Sequence, residues 1–478
     1  MSGGEKSTGE MSAFPEVDTA VAAATAAFGA YRETEPRTRA GLLRAIADGI
    51  EALGDDLAAT VHRETRLPLA RARSERDRTC GQLRMFAALL DTPGWNRPRI
   101  APGDPAREPL PRPDLRLRHI PLGPVAVFGA SNFPLAFSAA GGDTAAALAA
   151  GAPVIVKAHE AHPDTSRLVG GVVTDALAAL GLPAGTFTLL FGPGRTLGQA
   201  LVAHPGVAAV AFTGSRAAGL AIASTAAARP VPIPVYAEMS SVNPVFLLPG
   251  ALADAPGDLA RGFAASAVLG SGQFCTNPGL VFARNGTGLD AFLETAAAAF
   301  GATAAQPMLT DGIRAAYEAG RDRLAAVPGV ELLARGTGEP APALYRADAA
   351  AFLAEPALRD EVFGATSLIV TAADEAETHR LVDVLEGQLT ATLHTGPGDL
   401  GEAARLLPRL ELLAGRIVHG GWPTGVEVGP ATVHGGPFPA TSDARTTSVG
   451  TLAIDRFLRP VAYQDLPDDL LPRELKRA

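Results

Sequence analysis

Cys275 is the residue of this chain best suited to covalent chemistry. It is one of two cysteines in 478 residues, and it lies in the segment GSGQFCTNPG (270–279), directly after an apolar, helix-like run. A thiolate is the strongest nucleophile that a side chain offers, and the small neighbours leave room for a reactant. The alternative is a buried structural cysteine, because free cysteine is among the most buried residue types. Other segments must decide between the two.

Three further segments carry groups that would complement such a nucleophile. Asn132 follows an apolar run, so its amide can donate to a developing oxyanion, although a turn-forming asparagine is the simpler interpretation. Glu238 ends another apolar stretch, where a desolvated carboxylate gains basicity and can activate water. The glycine turn FTGSRAAG (212–219) suits the close approach of a nucleotide, and Glu361 and Phe363 lie near a further apolar run.

The composition limits the class of protein. The formal net charge is -9 and no basic block occurs, which argues against nucleic acid or an anionic membrane as a partner. Cys80 and Cys275 cannot build a disulfide framework, and no Cys/His cluster has metal-ligand spacing, so no metal is predicted. Residues 1–12 are polar and mixed in charge. They predict a short disordered tail without a signal or anchor, and a cytoplasmic protein.

The elements that must position these groups follow the pattern of a parallel sheet. Helical periodicity covers residues 13–89, and from Val125 onward short apolar runs alternate with Ala-rich helices. The pattern predicts strands over 125–128, 153–156, 187–191 and 207–212, with helices over 139–150 and 166–180. Apolar strands of this kind are covered on both faces, and ligands gather at their carboxyl ends. Lys157 and residues 213–215 lie at such ends.

A second α/β block is predicted after Glu238. Its strands are expected over 280–283 and 367–371, and its helices near 311–325 and 375–385. The uncharged stretch 121–142 is the single candidate for a membrane span, but its glycines and prolines suit a strand, a loop and the start of a helix instead. The sequence therefore predicts no membrane partner.

Taken together, these segments resemble the aldehyde dehydrogenase superfamily over roughly residues 13–471. A single match would be unspecific, whereas six in the same order are specific. They are the asparagine motif at 132–134, the lysine strand at 156–157, the glycine turn at 212–215, the general base at Glu238, the nucleophile at 272–275 and the ribose-contacting pair Glu361 and Phe363.

The resemblance implies an α/β fold with three parts. These are a Rossmann-like nucleotide-binding domain (13–104 and 122–238), an α/β catalytic domain (239–445) and a small oligomerisation element (105–121 and 446–478). It also implies a homodimer or homotetramer, and a small aldehyde as substrate.

The implied mechanism has two halves. Cys275 attacks the aldehyde carbon, the oxyanion is held by Asn132 and the Cys275 backbone N–H, and hydride passes to the nicotinamide. Glu238 then activates the water that hydrolyses the thioester. Lys157, Glu160, Gly214, Ser215, Glu361 and Phe363 are the implied nucleotide contacts.

The segments ERDRTCGQLR (75–84), GWPTGVEV (421–428) and HGGPFPAT (434–441) look like those of 2,5-dioxovalerate (alpha-ketoglutaric semialdehyde) dehydrogenases. Such a substrate needs a cation for its distal carboxylate, and Arg78, Arg84 and Arg445 are the candidates. Each of the three is also open to interpretation as a structural or surface arginine.

The choice of nucleotide depends on Glu160, three residues after Lys157. In this superfamily a glutamate there often binds the ribose hydroxyls of NAD, and its charge would repel the 2′-phosphate of NADP. NAD is therefore favoured, although His159 and His162 offer cations that could offset the repulsion and the resembled subfamily often uses NADP.

The chain departs from the superfamily pattern at two positions, and two alternative functions stay open. Ser240 stands where the superfamily usually has glycine, and Gly420 stands where asparagine is expected; neither removes a catalytic group. A CoA-acylating enzyme is disfavoured by Glu238, because hydrolysis needs that base. A non-catalytic scaffold is disfavoured by the presence of Cys275, Asn132 and Glu238 together.

Overall fold

A computed structural model describes residues 14–476 of the chain. The predicted tail over 1–12 lies outside the described residues. Within the described part, fifteen α-helices are present: α1 Pro15–Arg32, α2 Pro36–Ala52, α3 Gly54–Thr65, α4 Leu69–Asp91, α5 Gly142–Ala150, α6 Pro163–Ala179, α7 Gln199–Ala203, α8 Arg216–Ala227, α9 Pro249–Asp254, α10 Pro256–Val268, α11 Leu289–Gly301, α12 Asp311–Ala326, α13 Ala349–Ala354, α14 Glu375–Asp383 and α15 Leu400–Leu413. Every helix of this part is too short or too polar to cross a lipid bilayer.

The strands of residues 14–476 form three sheets. They are β1 Arg99–Ala101, β2 Leu115–Pro121, β3 Val125–Phe128, β4 Val154–Lys157, β5 Phe187–Leu190, β6 Ala209–Thr213, β7 Val235–Glu238, β8 Val245–Leu247, β9 Leu280–Arg284, β10 Glu331–Arg335, β11 Ala343–Asp348, β12 Thr366–Ala372, β13 Gln388–His394, β14 Ala414–His419 and β15 Leu458–Gln464. The predicted α/β class is confirmed, and the predicted strands differ from the observed ones by two residues or fewer at each end.

The first large sheet is parallel throughout, with the order β5-β4-β3-β6-β7. Alternate side chains of β3 enter two different cores: Val125 and Val127 pack on one face, and Ala126 and Phe128 on the other. This explains the continuous apolar runs in the sequence, since both faces are covered by helices. The order reverses at β3, which is where ligands bind in open sheets of this kind.

The second large sheet has the order β10-β11-β12-β9-β8-β13-β14, and β10 is its one antiparallel strand. Its central strands are also buried on both faces: Phe246 and Phe282 pack on one side, and Val245 and Val281 on the other. The segment 270–279 leads into β9, the central strand of this sheet, so Cys275 lies just before the amino end of that strand.

The third sheet joins distant parts of the chain in the order β1-β2-β15. Strand β15 is antiparallel to β2, with Leu458 opposite Pro121 and Gln464 opposite Leu115. The two segments assigned from the sequence to an oligomerisation element therefore pair within one chain. The division into domains and the role of this sheet in assembly stay predictions.

Candidate active site

The loop that carries Cys275 has an unusual backbone. Gly270, Ser271 and Gly272 have φ angles of 56°, 59° and 66°, so three consecutive residues adopt the left-handed region. A Cβ atom on Gly272 would collide with the backbone of Gly364. Glycine at position 272 is thus required both by its conformation and by the close approach of a neighbouring segment.

Two asparagines donate hydrogen bonds to the backbone of this loop. The buried Asn243 donates from Nδ2 to the carbonyl oxygens of Cys275 at 2.8 Å and Asn277 at 2.9 Å. Asn132, which follows β3, donates from Nδ2 to the Gln273 carbonyl oxygen at 3.1 Å. Asn132 therefore lies beside the nucleophile's loop, although the two residues are far apart in sequence.

Glu238 is the last residue of β7 and faces the same loop. Its Oε1 accepts from His434 Nε2 at 2.9 Å, and its Oε2 accepts from Ser448 Oγ at 2.7 Å. His434 Nε2 is also 3.4 Å from Cys275 Sγ. The ligand atoms of Glu238, Cys275 and His434 all lie within 4.8 Å of one another, so a nucleophile, a carboxylate and an imidazole share one cluster.

The charge states within this cluster follow from burial and neighbours. Burial, and after it the Glu238 carboxylate, raise the pKa of the Cys275 thiol well above its usual range. Burial also opposes ionisation of Glu238, but His434 and the hydrogen bond from Ser448 outweigh it and hold the pKa of Glu238 below its ordinary value. Near neutral pH the resting pair is a thiol beside a carboxylate, which provides an acceptor for the thiol proton.

The same cluster contains donor types that bind Zn²⁺ in proteins. The sequence predicts no metal, and this stays a prediction.

The implied adenosine contacts lie at the carboxyl end of β4. Lys157 is buried, and its Nζ lies 3.3 Å from Glu160 Oε1, which also accepts from the Gly194 backbone N–H at 2.9 Å. Gly194 lies beside this cation, since a Cβ built on it would be 3.8 Å from Lys157 Nζ, an ordinary van der Waals contact. The donor set and the space fit a nucleotide ribose.

The glycine turn follows β6, the strand next to β3, where the strand order reverses. Gly214 separates β6 from α8, and its N–H donates to the Glu238 carbonyl oxygen at 3.1 Å. Ser215 caps α8 by accepting from the Ala218 N–H at 3.4 Å. A helix N-terminus preceded by glycine fits a phosphate group.

Glu361 and Phe363 lie at the opposite end of the cluster. Both line a cavity together with Gly272 and Ser241, between the Cys275 loop and the start of β12. Burial raises the pKa of Glu361 to about 8. The Glu238 charge acts in the same direction, and a backbone hydrogen bond from Ser241 acts against it. These two residues therefore lie near the reactive groups.

A cavity of about 210 Å³ opens onto Cys275. Its wall contains Arg71, Glu75 and Arg78 from α4, together with Phe133 and Phe274. The Arg71 guanidinium lies 4.6 Å from the centres of both phenyl rings. Two guanidinium groups against one carboxylate leave this cavity with a positive charge.

Of the three arginines proposed from the sequence, the structure places Arg78 alone in this cavity. Arg84 lies on another face of α4 and is paired with Glu51 and with Asp48, the latter at 2.6 Å. Arg445 is bonded to Asp443 at 2.8 Å, with its side chain 87% exposed. Arg84 and Arg445 do not line this cavity and pair with carboxylates on the surface, and their assignment to the substrate pocket stays a prediction that this geometry does not favour.

Ser240, which departs from the superfamily pattern, is half-buried, and it is absent from the described residues with positive φ. No backbone strain follows from the serine. Gly420 has a φ of 68°, a conformation that glycine and asparagine both tolerate.

Sequence reasoning did not assign roles to Arg71, His434 or Ser448. Arg71, Glu75 and Arg78 are spaced by four and three residues, which places them on one face of a helix and would have indicated a charged cluster. His434 stands inside a segment that was singled out for its resemblance alone. Ser448 carries no recognisable signal.

Comparison with known proteins gives consistent results. The model of the aldehyde dehydrogenase family matches residues 7–313. The chain is 57% identical over 470 residues to alpha-ketoglutaric semialdehyde dehydrogenase 2 of Azospirillum brasilense, covering 97% of this chain and 89% of that protein. It is 46% identical over 467 residues to alpha-ketoglutaric semialdehyde dehydrogenase of Acinetobacter baylyi, covering 96% and 88%.

Solved structures share the fold. Proline utilization A of Bradyrhizobium japonicum superimposes with a TM-score of 0.81 and 25% identity, over 95% of this chain and 45% of that one. Aldehyde dehydrogenase C of Pseudomonas syringae, complexed with NAD+ and octanal, gives a TM-score of 0.78 and 23% identity, over 94% and 88%.

Proposed function

Because the chain belongs to the aldehyde dehydrogenase family and is an NAD(P)-dependent oxidoreductase, we propose that it oxidises 2,5-dioxopentanoate (alpha-ketoglutaric semialdehyde) to 2-oxoglutarate. Relatives at 57% and 46% identity carry the name of this activity. The observation that carries the proposal is the pair Arg71 and Arg78 in the cavity that opens onto Cys275.

The two arginines suit the carboxylate end of this substrate. Guanidinium groups stay charged when buried and match the geometry of a carboxylate. Burial lowers the pKa of Arg78, yet a guanidinium is not deprotonated in proteins. With its carboxylate near Arg71 and Arg78, a short substrate would present its aldehyde carbon to Cys275, and the rings of Phe133 and Phe274 would exclude water from its middle.

The first half of the reaction depends on Cys275, Glu238 and Asn132. The S–H bond of Cys275 breaks, its proton moves to the Glu238 carboxylate, and the sulfur forms a bond to the aldehyde carbon. The resulting oxyanion is held by Asn132 Nδ2 and the Cys275 backbone N–H, which requires Asn132 to exchange its hydrogen bond to the Gln273 carbonyl. The carbon loses a hydride as the thioester forms, and NAD(P), when bound, would supply the hydride acceptor.

The second half regenerates the enzyme. Glu238, again ionised after losing its proton to solvent, takes a proton from a water molecule that attacks the thioester carbon. The C–S bond then breaks, the carboxylate product leaves, and Cys275 recovers a proton. The position of Glu238 within 4.8 Å of the sulfur supports hydrolysis over transfer of the acyl group to CoA.

We propose NAD as the preferred nucleotide. Glu160 lies beside Lys157, and its hydrogen bond from Gly194, with further help from Lys157, holds the pKa of Glu160 below its ordinary value, so it is a carboxylate. Burial lowers the pKa of His159 to about 4 and also lowers that of His162. Neither histidine then supplies the cation that would offset the repulsion of a 2′-phosphate. Glu160→Gln should raise the NADP-to-NAD ratio of kcat/KM, and an unchanged ratio would contradict this preference.

We also propose a homo-oligomer assembled through the β1-β2-β15 sheet. Both outer strands of this sheet have a free edge within the described residues, and edge strands are natural sites for pairing with another chain. Light scattering after size exclusion should give the mass of a dimer or tetramer, and a Pro substitution at Val461 should reduce that mass. A wild-type monomer would refute the proposal.

The reaction is tested by the formation of reduced nucleotide. Purified enzyme is assayed with NAD and NADP on 2,5-dioxopentanoate, succinic semialdehyde and pentanal, beside Cys275→Ala. Preference for the first substrate, abolished in the variant, would support the proposal. Preference for pentanal would keep the chemistry and overturn the substrate. Nucleotide binding without any turnover would favour the scaffold alternative.

A further inference from the structure

His434 contacts both reactive groups of the site through one nitrogen atom. Its Nε2 lies 2.9 Å from Glu238 Oε1 and 3.4 Å from Cys275 Sγ. The side chain is 1% exposed, and its other nitrogen, Nδ1, is buried and has no hydrogen-bond partner within residues 14–476. The imidazole therefore contacts the nucleophile and the base through Nε2, and within the described residues Nδ1 contacts no polar group.

The contacts indicate which nitrogen carries the proton. A carboxylate can only accept, so the contact with Glu238 Oε1 requires a hydrogen on Nε2. A second hydrogen on Nδ1 would leave a buried N–H unpaired, which costs more than a bare lone pair there. The arrangement therefore assigns the hydrogen to Nε2, where Glu238 and Cys275 share it.

The surrounding backbone keeps the imidazole in place. The His434 N–H donates to Thr447 Oγ1 at 2.8 Å, and its carbonyl oxygen accepts from the Ser448 N–H at 2.9 Å. The same segment pairs with the end of β7, where the Met239 N–H donates to the Ala440 carbonyl oxygen at 2.8 Å. The segment from 434 to 448 thus forms a strap that is fixed on the strand carrying Glu238.

We propose that His434 is a third catalytic residue, whose Nε2–H follows the negative charge between Glu238 and Cys275. The inference rests on the roles proposed above for those two residues. While Cys275 is a thiol, the hydrogen is donated to the Glu238 carboxylate. When the S–H bond breaks and the proton forms an O–H bond with Glu238, the charge moves to sulfur and the same hydrogen is donated there. One proton moves, no electrons are gained or lost, and the net charge of the cluster is unchanged.

Other charges face this cluster from several elements. Glu361, from the loop before β12, has its pKa raised to about 8 by burial and adds a negative charge only when it ionises. Arg78 from α4 and Arg416 from β14 act as cations on Cys275. The cavity behind Glu238 and His434 also contains Tyr236, Asp443 and Arg456. These groups set the electrostatic potential at the Cys275 sulfur before the reaction begins. A hydrogen bond that forms with the thiolate adds a stabilisation that is realised only after the proton has moved.

The test compares His434→Gln with His434→Asn. The amide nitrogen of glutamine reaches the place of Nε2 and retains an N–H donor, whereas asparagine is one methylene shorter and reaches only the place of Nδ1. Alkylation of Cys275 by iodoacetamide is followed against pH without substrate or nucleotide, with Cys275→Ala as the blank for Cys80. Kinetics of aldehyde oxidation are measured in parallel.

We expect His434→Asn to move the midpoint of alkylation upward by about one to two pH units and to lower kcat by about 10- to 100-fold. His434→Gln should recover most of both losses. Ser448→Ala is the matched control, because it removes a donor from Glu238 and leaves the contact between His434 Nε2 and Cys275 Sγ in place. It should move the midpoint less than His434→Asn does.

Equal alkylation midpoints in wild type and His434→Asn would overturn the proposal. So would equal losses in the Gln and Asn variants with unchanged melting temperatures, since a merely structural role predicts that result. The proposed function fails separately, if Cys275→Ala keeps its activity, whatever the His434 variants do.

Discussion

Replacing Arg78 with methionine should separate substrates by their carboxylate. Methionine keeps much of the aliphatic volume and removes the guanidinium from the cavity that opens onto Cys275. We expect kcat/KM to fall for 2,5-dioxopentanoate and succinic semialdehyde and to stay nearly constant for pentanal, which has a comparable chain and no carboxylate.

The magnitude follows from the surroundings of Arg78. Its Nε is buried and has no hydrogen-bond partner among residues 14–476. The guanidinium carbon lies 5.9 Å from the ring centres of both Phe133 and Phe137, which keep water from one side. A hydrogen bond to a charged group contributes about 1.5–3 kcal/mol. At 1.36 kcal/mol per factor of ten, kcat/KM for the carboxylated substrates should fall by about 10- to 150-fold.

The assay measures initial rates of reduced nucleotide formation for all three aldehydes in wild type, Arg78→Met and Arg84→Met. Arg84 belongs to the same helix but pairs with Glu51 and Asp48, so its variant controls for the loss of one positive charge. An equal loss on pentanal would mean that Arg78 supports the site's structure, and an unchanged preference would refute the anchor. A loss in Arg84→Met as large as that in Arg78→Met would show that long-range charge is responsible.

Three further substitutions test the chemistry. Asn132→Ala should lower kcat by about 10²- to 10³-fold through loss of an oxyanion donor; nucleotide affinity by fluorescence titration should not change, and a matching loss of affinity would contradict the role. Glu238→Gln should move the alkylation midpoint of Cys275 downward by about one pH unit, because the pKa of this thiol is raised by burial and then by the Glu238 charge. An upward move would show that the carboxylate favours the thiolate. Gly272→Ala should abolish turnover and lower the melting temperature, because its Cβ would meet the Gly364 backbone. The control Gly301→Ala should do neither, because no atom lies within 4 Å of the Cβ position there. An active Gly272→Ala enzyme would contradict the close approach of the two segments.

The sequence by itself determined the strands of the first large sheet. Val125–Phe128 is apolar at every position and Val154–Lys157 at every position but the last, and both faces of these strands are buried in separate cores. Local composition is enough to predict such an element, because its requirement for burial does not depend on which helices supply it. The loop around Cys275 was also recognisable from local sequence, because Gly270 and Gly272 are required by the positive φ angles of their own backbone.

Only the tertiary structure decided how the charged groups are paired. Arg78 and Arg84 stand on the same helix, and the sequence favoured neither; the packing of α4 turns the first toward Cys275 and leaves the second to surface carboxylates. His434 lies 196 residues from Glu238, and their contact exists because the strap over 434–448 pairs with β7. Such contacts depend on directions fixed by packing between distant segments, and no local pattern of residues encodes them.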